Sequence, residues 1–458
     1  MNGNSKVALL GGGGVRTPLL IHGLVHAPPH IGIRELALYD VDARRAGLMA
    51  AMGAELARDS GITIATPASV EEAVDGASFV LSSIRVGGIE ARARDERIAM
   101  RHGLAGQETT GPGGIAMALR TIPVALAHAR LIDRYAPHAW LINFTNPAGL
   151  ITQALTTHSN VKVVGICDTP AELFHRIAWA LGEPFPEMEF QYGGLNHLGW
   201  VRKVLLRGED ISSRILRNDD LLRRLYPADL FDPVLIRTLG LIPTEYLFFY
   251  YSQRKAYRNQ ISADATRGEE IAGLNRDLLT RLHSQTDAGD GRGALHTYKQ
   301  YLNRRNSSYM RLEGNAESAL DQGAHDWDPF EGATGYHRIA IDVMTALSGS
   351  SPAKLVVNVA NRDAVQELEP EDVVEVPCLI DRNGAKPLPY GSLPETVRGL
   401  VFSMKSCERL TIRAAIEKSF DLARLALLIN PIVGQWEIAS EALSQIVRED
   451  ANGLGFLQ

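Results

Sequence analysis

The sequence predicts an α/β fold: a Rossmann-type, doubly wound parallel sheet followed by a second, helix-rich, mixed α+β domain. Three observations predict it. Short apolar runs alternate with longer Ala-, Leu- and Arg-rich segments over the first 170 residues, the pattern of consecutive βαβ units. A run of four glycines, Gly11 to Gly14, separates the first apolar run from the first helical segment. After Gly193 the alternation is lost, and a charged stretch rich in Arg, Asp and Leu takes over.

Taken in order, the expected strands are 7–10, 35–39, 78–83, 139–144 and 161–166, each a short apolar run of the kind buried on both faces of a parallel sheet. Between them, 18–25, 43–60 and 117–135 read as helices, with few β-branched residues and many good helix formers. A short strand-like run at 188–192 is followed by a helical middle over about 210–330. Further on, 354–359 and 373–376 are strand-like, and Asp381-Arg382-Asn383-Gly384 supplies a turn. The tail, 410–447, reads as amphipathic helices. This gives two domains, 1–195 and 196–458. No Pro/Gly/Ser linker marks the boundary, so the two parts are expected to pack intimately.

Composition bounds the function. The 458 residues include 47 basic and 53 acidic side chains, a formal net charge of -6, which leaves no positive field for a nucleic acid. Hydrophobic residues make up 45%, ample for a large core. No run reaches the roughly 18 consecutive apolar residues of a membrane span, so no membrane partner is expected. The opening residues lack the apolar core of a secretory signal, and the 3 cysteines, Cys167, Cys378 and Cys407, are too few and too scattered for a disulfide framework. The expected location is cytoplasmic.

The glycine run has the strand, turn and helix context of a dinucleotide fingerprint. Gly11 permits the tight turn, Gly13 lets the backbone approach a pyrophosphate, and the N–H groups of Gly14 and Val15 lead into a helix N-terminus. The third glycine of the usual pattern is replaced by Arg16. Asp40, ending the second strand, is placed for an adenosine ribose, which favours NAD, while Arg44 and Arg45 nearby suit a 2′-phosphate. A glycine loop that only turns the chain is the plainer reading.

Cys167 follows the strand 161–166, at the carboxyl end where ligands bind in open α/β sheets. His197 lies in Gly194-Leu195-Asn196-His197. Buried cysteines are ordinarily inert and single histidines ordinarily structural. Together, thiolate and imidazole suit a borderline divalent metal whose other positions are filled by substrate or water. Gly106-Gln107-Glu108-Thr109 and Asn143-Phe144-Thr145-Asn146-Pro147 are polar loops at strand ends or before helices.

In order along the chain, the glycine run with Thr17-Pro18, Ile84-Arg85-Val86-Gly87, Gly106-Gln107-Glu108-Thr109, Asn143-Phe144-Thr145-Asn146-Pro147, Cys167-Asp168 and Gly194-Leu195-Asn196-His197 resemble the motifs of glycoside hydrolase family 4. Val374-Glu375-Val376-Pro377 and Asp381-Arg382-Asn383-Gly384 resemble C-terminal segments of the same family. The resemblance implies a lactate-dehydrogenase-like fold and a homodimer or homotetramer. It implies dependence on NAD and a divalent metal, Mn first, with Co, Ni or Fe as alternatives. It further implies glycosidase action on a small, 6-phosphorylated sugar, outside two-carboxylate glycoside hydrolysis. The implied route is C3 oxidation, C2 deprotonation, C1 elimination, water addition and re-reduction, with no net redox change. Carried over by residue, Cys167 and His197 are the metal ligands, Tyr246 the base, Glu108 the residue that tunes it, and Asp168 the proton donor. Arg92, Asn146, Asn196 and Arg267 are implied substrate contacts.

Two features divide the family's branches. An Asp after the metal cysteine, here Asp168, is the pattern of 6-phospho-α-glucosidases, whereas Tyr246-Leu247-Phe248-Phe249 resembles the β branch, and a 6-phospho-β-glucoside is the expected substrate. The run from Phe330 to Tyr336 departs from the family pattern, which leaves the C6 group open. The alternatives are an α-linked, unphosphorylated or sulfonated sugar, a net NAD-dependent sugar or 2-hydroxy-acid dehydrogenase, and a non-catalytic NAD-binding sensor.

Overall fold

The computed structural model describes residues 5–226, 228–310, 328–331, 335–349 and 351–457. Part of the expected helical middle (311–327) and the centre of the Phe330 to Tyr336 run (332–334) lie outside the described residues.

Thirteen strands in the described residues form one sheet. In chain order they are β1 (Ser5–Leu10), β2 (Ile33–Tyr39), β3 (Thr63–Ala65), β4 (Ala77–Ser82), β5 (Trp140–Asn143), β6 (Lys162–Gly165), β7 (Met188–Leu195), β8 (Leu198–Leu206), β9 (Glu209–Asp210), β10 (Ile242–Pro243), β11 (Ala353–Ala360), β12 (Val373–Asp381) and β13 (Gly384–Pro387). The spatial order is β10-β8-β7-β12-β11-β6-β5-β4-β1-β2-β3, with β13 on β12 and β9 on β8. From β6 to β3 the neighbours pair in parallel, which is the doubly wound order with its reversal between β1 and β4. All five strands expected in the first 170 residues are present; the three-residue edge strand β3 was not anticipated.

Period-two alternation in these strands divides the core between two faces. Val7 and Leu9 of β1, with Phe79, Leu81 and Ile142, fill one cluster. Ala8 and Leu10, with Val80 and Leu141, fill the other. The second face is covered partly by C-terminal helices (Glu395–Glu417, Phe420–Ile429, Trp436–Glu449), which bring Cys407, Ile412, Leu427, Leu443 and Ile446 against it. The chain's end thus roofs the sheet its beginning built. The expected boundary at 195/196 falls between β7 and β8, which are joined directly by the turn at Asn196 and His197.

Two helices depart from expectation at an end. The segment expected at 43–60 stops at Leu56, where Asp59-Ser60-Gly61 turns the chain. The segment expected from 117 begins at Gly111, so Gly111, Pro112, Gly113 and Gly114 are helical rather than loop. Packing decides this against propensity: a Cβ at Gly113 would lie 2.2 Å from the Gln107 carbonyl oxygen, and one at Gly114 2.4 Å from that of Thr109. The glycines let the preceding polar loop fold back onto the helix. This helix, Gly111–Tyr135, is long and apolar enough to cross a membrane, yet 61% of its apolar window is buried inside the protein.

Candidate active site

The glycine turn sits at the switch point between β1 and β4. Gly11 has φ +91°, and a Cβ there would lie 2.4 Å from the Ser83 carbonyl oxygen, so only glycine lets the turn lie against the end of β4. The N–H groups of Gly11 and Gly12 both donate to the Tyr39 carbonyl, at 2.9 and 2.8 Å. Gly13 N–H donates to Asp40 Oδ2 at 2.9 Å, and a Cβ on Gly13 would touch that carboxylate. Asp40 therefore fixes the turn from the end of β2, besides accepting from Asp42 N–H. The Val15 carbonyl accepts from the Tyr298 hydroxyl at 2.8 Å. Arg44 is exposed on the helix Ala43–Leu56. A side-chain-free cradle with an acid at the end of the second strand fits a dinucleotide with an unmodified ribose.

Cys167 follows β6 and is 2% exposed; His197 occupies the β7–β8 turn with φ +61°. The hydrogen bonds around His197 fix which nitrogen is bare. Gln107 Oε1 accepts from the backbone N–H groups of Thr109 and Thr110 and from the Thr109 hydroxyl. With its proton on Gln107, Thr109 Oγ1 can only accept from His197 Nδ1–H, 2.9 Å away. Nε2 then carries the lone pair, and it is buried without a partner. Burial lowers the imidazole to about 4, which keeps it neutral. Burial, then Glu375 and Asp168, push the Cys167 thiol up, so its deprotonation requires a cation. Among the described residues no group of three or more His, Cys, Asp or Glu is arranged to hold a metal ion. A thiol and one bare imidazole nitrogen fit a borderline divalent cation with positions left for substrate and water.

Tyr246 lies in the tight turn Glu245–Leu247, its ring stacked on His197. Burial first, then Glu108 and Glu245, push its phenol well up, while a hydrogen bond from Tyr309 opposes them. Glu108 is clamped between Arg85 (2.7 Å) and Arg92 (2.8 Å), and although burial opposes ionisation, the two guanidiniums hold it far below the usual carboxylate range. Asp168 faces Arg16 at 3.8 Å and bonds Tyr336; burial raises its carboxyl against the pull of Arg16. Burial likewise raises two neighbours, Glu172 to about 8 and Glu245 to about 7.

The remaining expected contacts divide. Asn146 Oδ1 is buried without a partner beside the cis bond to Pro147, open to a ligand hydroxyl. Arg92 is 9% exposed and pairs with Glu96 as well as Glu108. Asn196 has both ends of its amide engaged, by Glu375 and by Gly149 N–H. Arg267 is held by Glu270, Ser308 and the Arg305 carbonyl. These three stand as anchors in the free protein. The sequence reading missed Thr109 as the partner of His197, Tyr309, Tyr336 and Arg305. Arg305 bonds the Tyr301 hydroxyl and, among the described residues, pairs with no carboxylate; burial first, then Arg16 and Arg92, disfavour its charge. Only the replacement of a fingerprint glycine by Arg16 was a signal that a cation belongs at this mouth.

Residues 6–183 match the family described as family 4 glycosyl hydrolase, and residues 192–433 match its C-terminal domain. The chain is 30% identical to the "probable 6-phospho-beta-glucosidase" of Bacillus subtilis, over 96% of this chain and 95% of that one. It is 27% identical to a 6-phospho-beta-glucosidase of Thermotoga maritima, over 96% and 97%. A maltose-6'-phosphate glucosidase of Bacillus subtilis is 28% identical, over 96% and 95%. The Thermotoga maritima enzyme, solved with manganese, NAD+ and glucose-6-phosphate, superposes with a TM-score of 0.80 at 25% identity, covering 98% of each chain. A lactate dehydrogenase from a deep-sea metagenome shares the fold, with a TM-score of 0.52 at 14% identity over 90% of this chain and 99% of that one. By both halves of its sequence and by its whole length, the chain belongs to family 4 of the glycosyl hydrolases.

Proposed function

We propose that the protein is an NAD- and divalent-metal-dependent glycosidase that hydrolyses 6-phospho-β-glucosides. The observation that carries this reading is the stack of Tyr246 on a neutral His197 whose Nε2 is bare, with Cys167 in electrostatic reach and a dinucleotide cradle on the same edge of the sheet. The 6-phospho-beta-glucosidase relatives and the manganese, NAD+ and glucose-6-phosphate of the solved Thermotoga maritima enzyme support it.

When bound, the dinucleotide supplies a reversible oxidant for the sugar's C3 and the cation supplies a Lewis acid at its C2 and C3 oxygens. Cys167 and His197 hold the cation; Gly11 to Val15 and Asp40 hold the dinucleotide. Tyr246 takes the proton from C2, made acidic by a ketone at C3. Its buried phenol is a poor base unaided, so the adjacent cation must favour the phenolate, and the neutral imidazole beneath adds no competing proton. Glu108, fixed as a carboxylate, sets the field at Tyr246 and restrains how far that phenol acidifies. Asp168, raised by burial, gives its proton to the departing C1 oxygen and, in reverse, takes one from the water that adds. Deprotonation at C2 does not depend on the configuration at C1, which accords with the maltose-6'-phosphate glucosidase among the relatives. A dinucleotide and a sugar phosphate are both intracellular compounds, and we place the activity in the cytoplasm.

Assay of α- and β-nitrophenyl glucosides, with and without 6-phosphate, in the presence of NAD and Mn2+ tests the reading. Hydrolysis of the phosphorylated β compound without accumulation of NADH is expected. Stoichiometric NADH release would establish a dehydrogenase instead, and turnover of only unphosphorylated compounds would remove the C6 phosphate.

A further inference from the structure

One lateral row of residues crosses the middle of the sheet. Gly165 on β6 faces Asn358 on β11, Asn358 faces Glu375 on β12, and Glu375 faces Gly194 on β7. The two outer pairings are single residue pairs, so this row is where the parallel half is joined to the antiparallel half. Cys167 follows Gly165 by two positions and His197 follows Gly194 by three. The row has no slack: a Cβ on Gly165 would lie 2.3 Å from Thr152 Oγ1, and one on Gly194 2.2 Å from the Leu198 carbonyl oxygen.

Glu375 is 1% exposed. Its Oε1 accepts from the Nδ2 groups of Asn196 and Asn358, both at 3.0 Å, and its Oε2 accepts from the Tyr192 hydroxyl at 2.6 Å. Asn196 directly precedes His197, and its Oδ1 takes the Gly149 N–H at 3.3 Å. One carboxylate therefore ties the His197 turn to β11, β12 and the helix Ala148–His158. Burial raises its carboxyl against the three hydrogen bonds that favour the ionised form, and among the described residues no Lys, Arg or His forms an ion pair with it. A buried anion needs a compensating charge.

We propose that Glu375 is the positioning residue of the metal centre, holding the His197 turn at a fixed distance from Cys167 and supplying a buried negative charge that the divalent cation neutralises. The proposal rests on the reading of Cys167 and His197 as the metal ligands. Partners of this kind behind the ligands commonly govern metal affinity by 10–100-fold.

The test is Mn2+ binding to the full-length protein, followed by electron paramagnetic resonance of free Mn2+, alongside NAD affinity by calorimetry and the thermal midpoint. Glu375→Gln keeps the shape and removes the charge. It is expected to bind Mn2+ about tenfold more weakly or worse, with NAD affinity unchanged. Wild-type Mn2+ affinity in that variant would overturn the proposal and leave Glu375 a packing residue. If Glu375→Gln is recovered unfolded, Asn196→Ala decides: it cuts the link to the His197 turn, and weakened Mn2+ binding supports the proposal while unchanged binding overturns it. Cys167→Ser and His197→Ala separate the underlying reading, because Mn2+ binding at wild-type strength in both would remove the metal site itself and the proposal with it.

Discussion

The Tyr246 ring lies flat on the His197 imidazole, centroids 3.7 Å apart and planes 5° from parallel. Tyr246→Phe preserves that stack and deletes only the phenol oxygen. Turnover should fall about 10²–10⁴-fold, with Mn2+ and NAD binding retained. In deuterated water the wild-type product should carry deuterium at C2 and the variant should have lost that exchange. Undiminished exchange in the variant would take Tyr246 out of the C2 chemistry.

Chelation should abolish hydrolysis and Mn2+ restore it. The structure adds a finer expectation, because Thr109 decides which His197 nitrogen is bare. Thr109→Val removes that control and should raise the Mn2+ concentration needed for half-restoration by roughly 10–100-fold. An unshifted Mn2+ titration would mean that the tautomer is fixed by something else.

Arg305 bears on the C6 group. Its alanine variant should raise KM for a 6-phosphoglucoside by about 10–100-fold, the range of a lost charge-assisted hydrogen bond, and leave the KM for a neutral glucoside nearly unchanged. Equal effects on both substrates would argue against an anion at this arginine.

Glu172 and Glu245 predict how stability varies with pH in the metal-free protein. An ordinary glutamate titrates at 4.5, whereas burial raises these to about 8 and about 7. Below 4.5 both carboxyls are protonated, folded or unfolded. Between 4.5 and 7 to 8 only the unfolded chain has released its protons, so stability declines as pH rises, and above about 8 the loss is complete. Glu172→Gln should therefore raise the thermal midpoint by a few degrees at pH 8.5 and leave it unchanged near pH 4.5. A gain of the same size at both values would point to packing rather than ionisation.

The fold's first half was legible because its signals are local: β1, the glycine turn and β2 are read from period-two burial and one short motif. Cys167 and His197 were marked by strand ends and by family resemblance. The bond that leaves His197 Nε2 bare was not, since Thr109 stands 88 positions away and its effect passes through Gln107. The insertion of β11 and β12 between β6 and β7 was likewise hidden, because each joins its neighbour through one pair whose register no local pattern encodes. Arg92 was marked by resemblance alone. Resemblance made it a sugar contact, and only side-chain geometry shows its guanidinium braced by Glu96 and Glu108.

The same insertion sets an order of events during synthesis. The strands that carry the dinucleotide cradle are complete once the chain has reached Gly165, but β12 ends only at Asp381. The row from Gly165 through Asn358 and Glu375 to Gly194 can form only after that. The strands of the parallel half are therefore synthesised some two hundred residues before the strand that completes their link to β7, and the sheet closes through contacts distant in sequence, which slows folding.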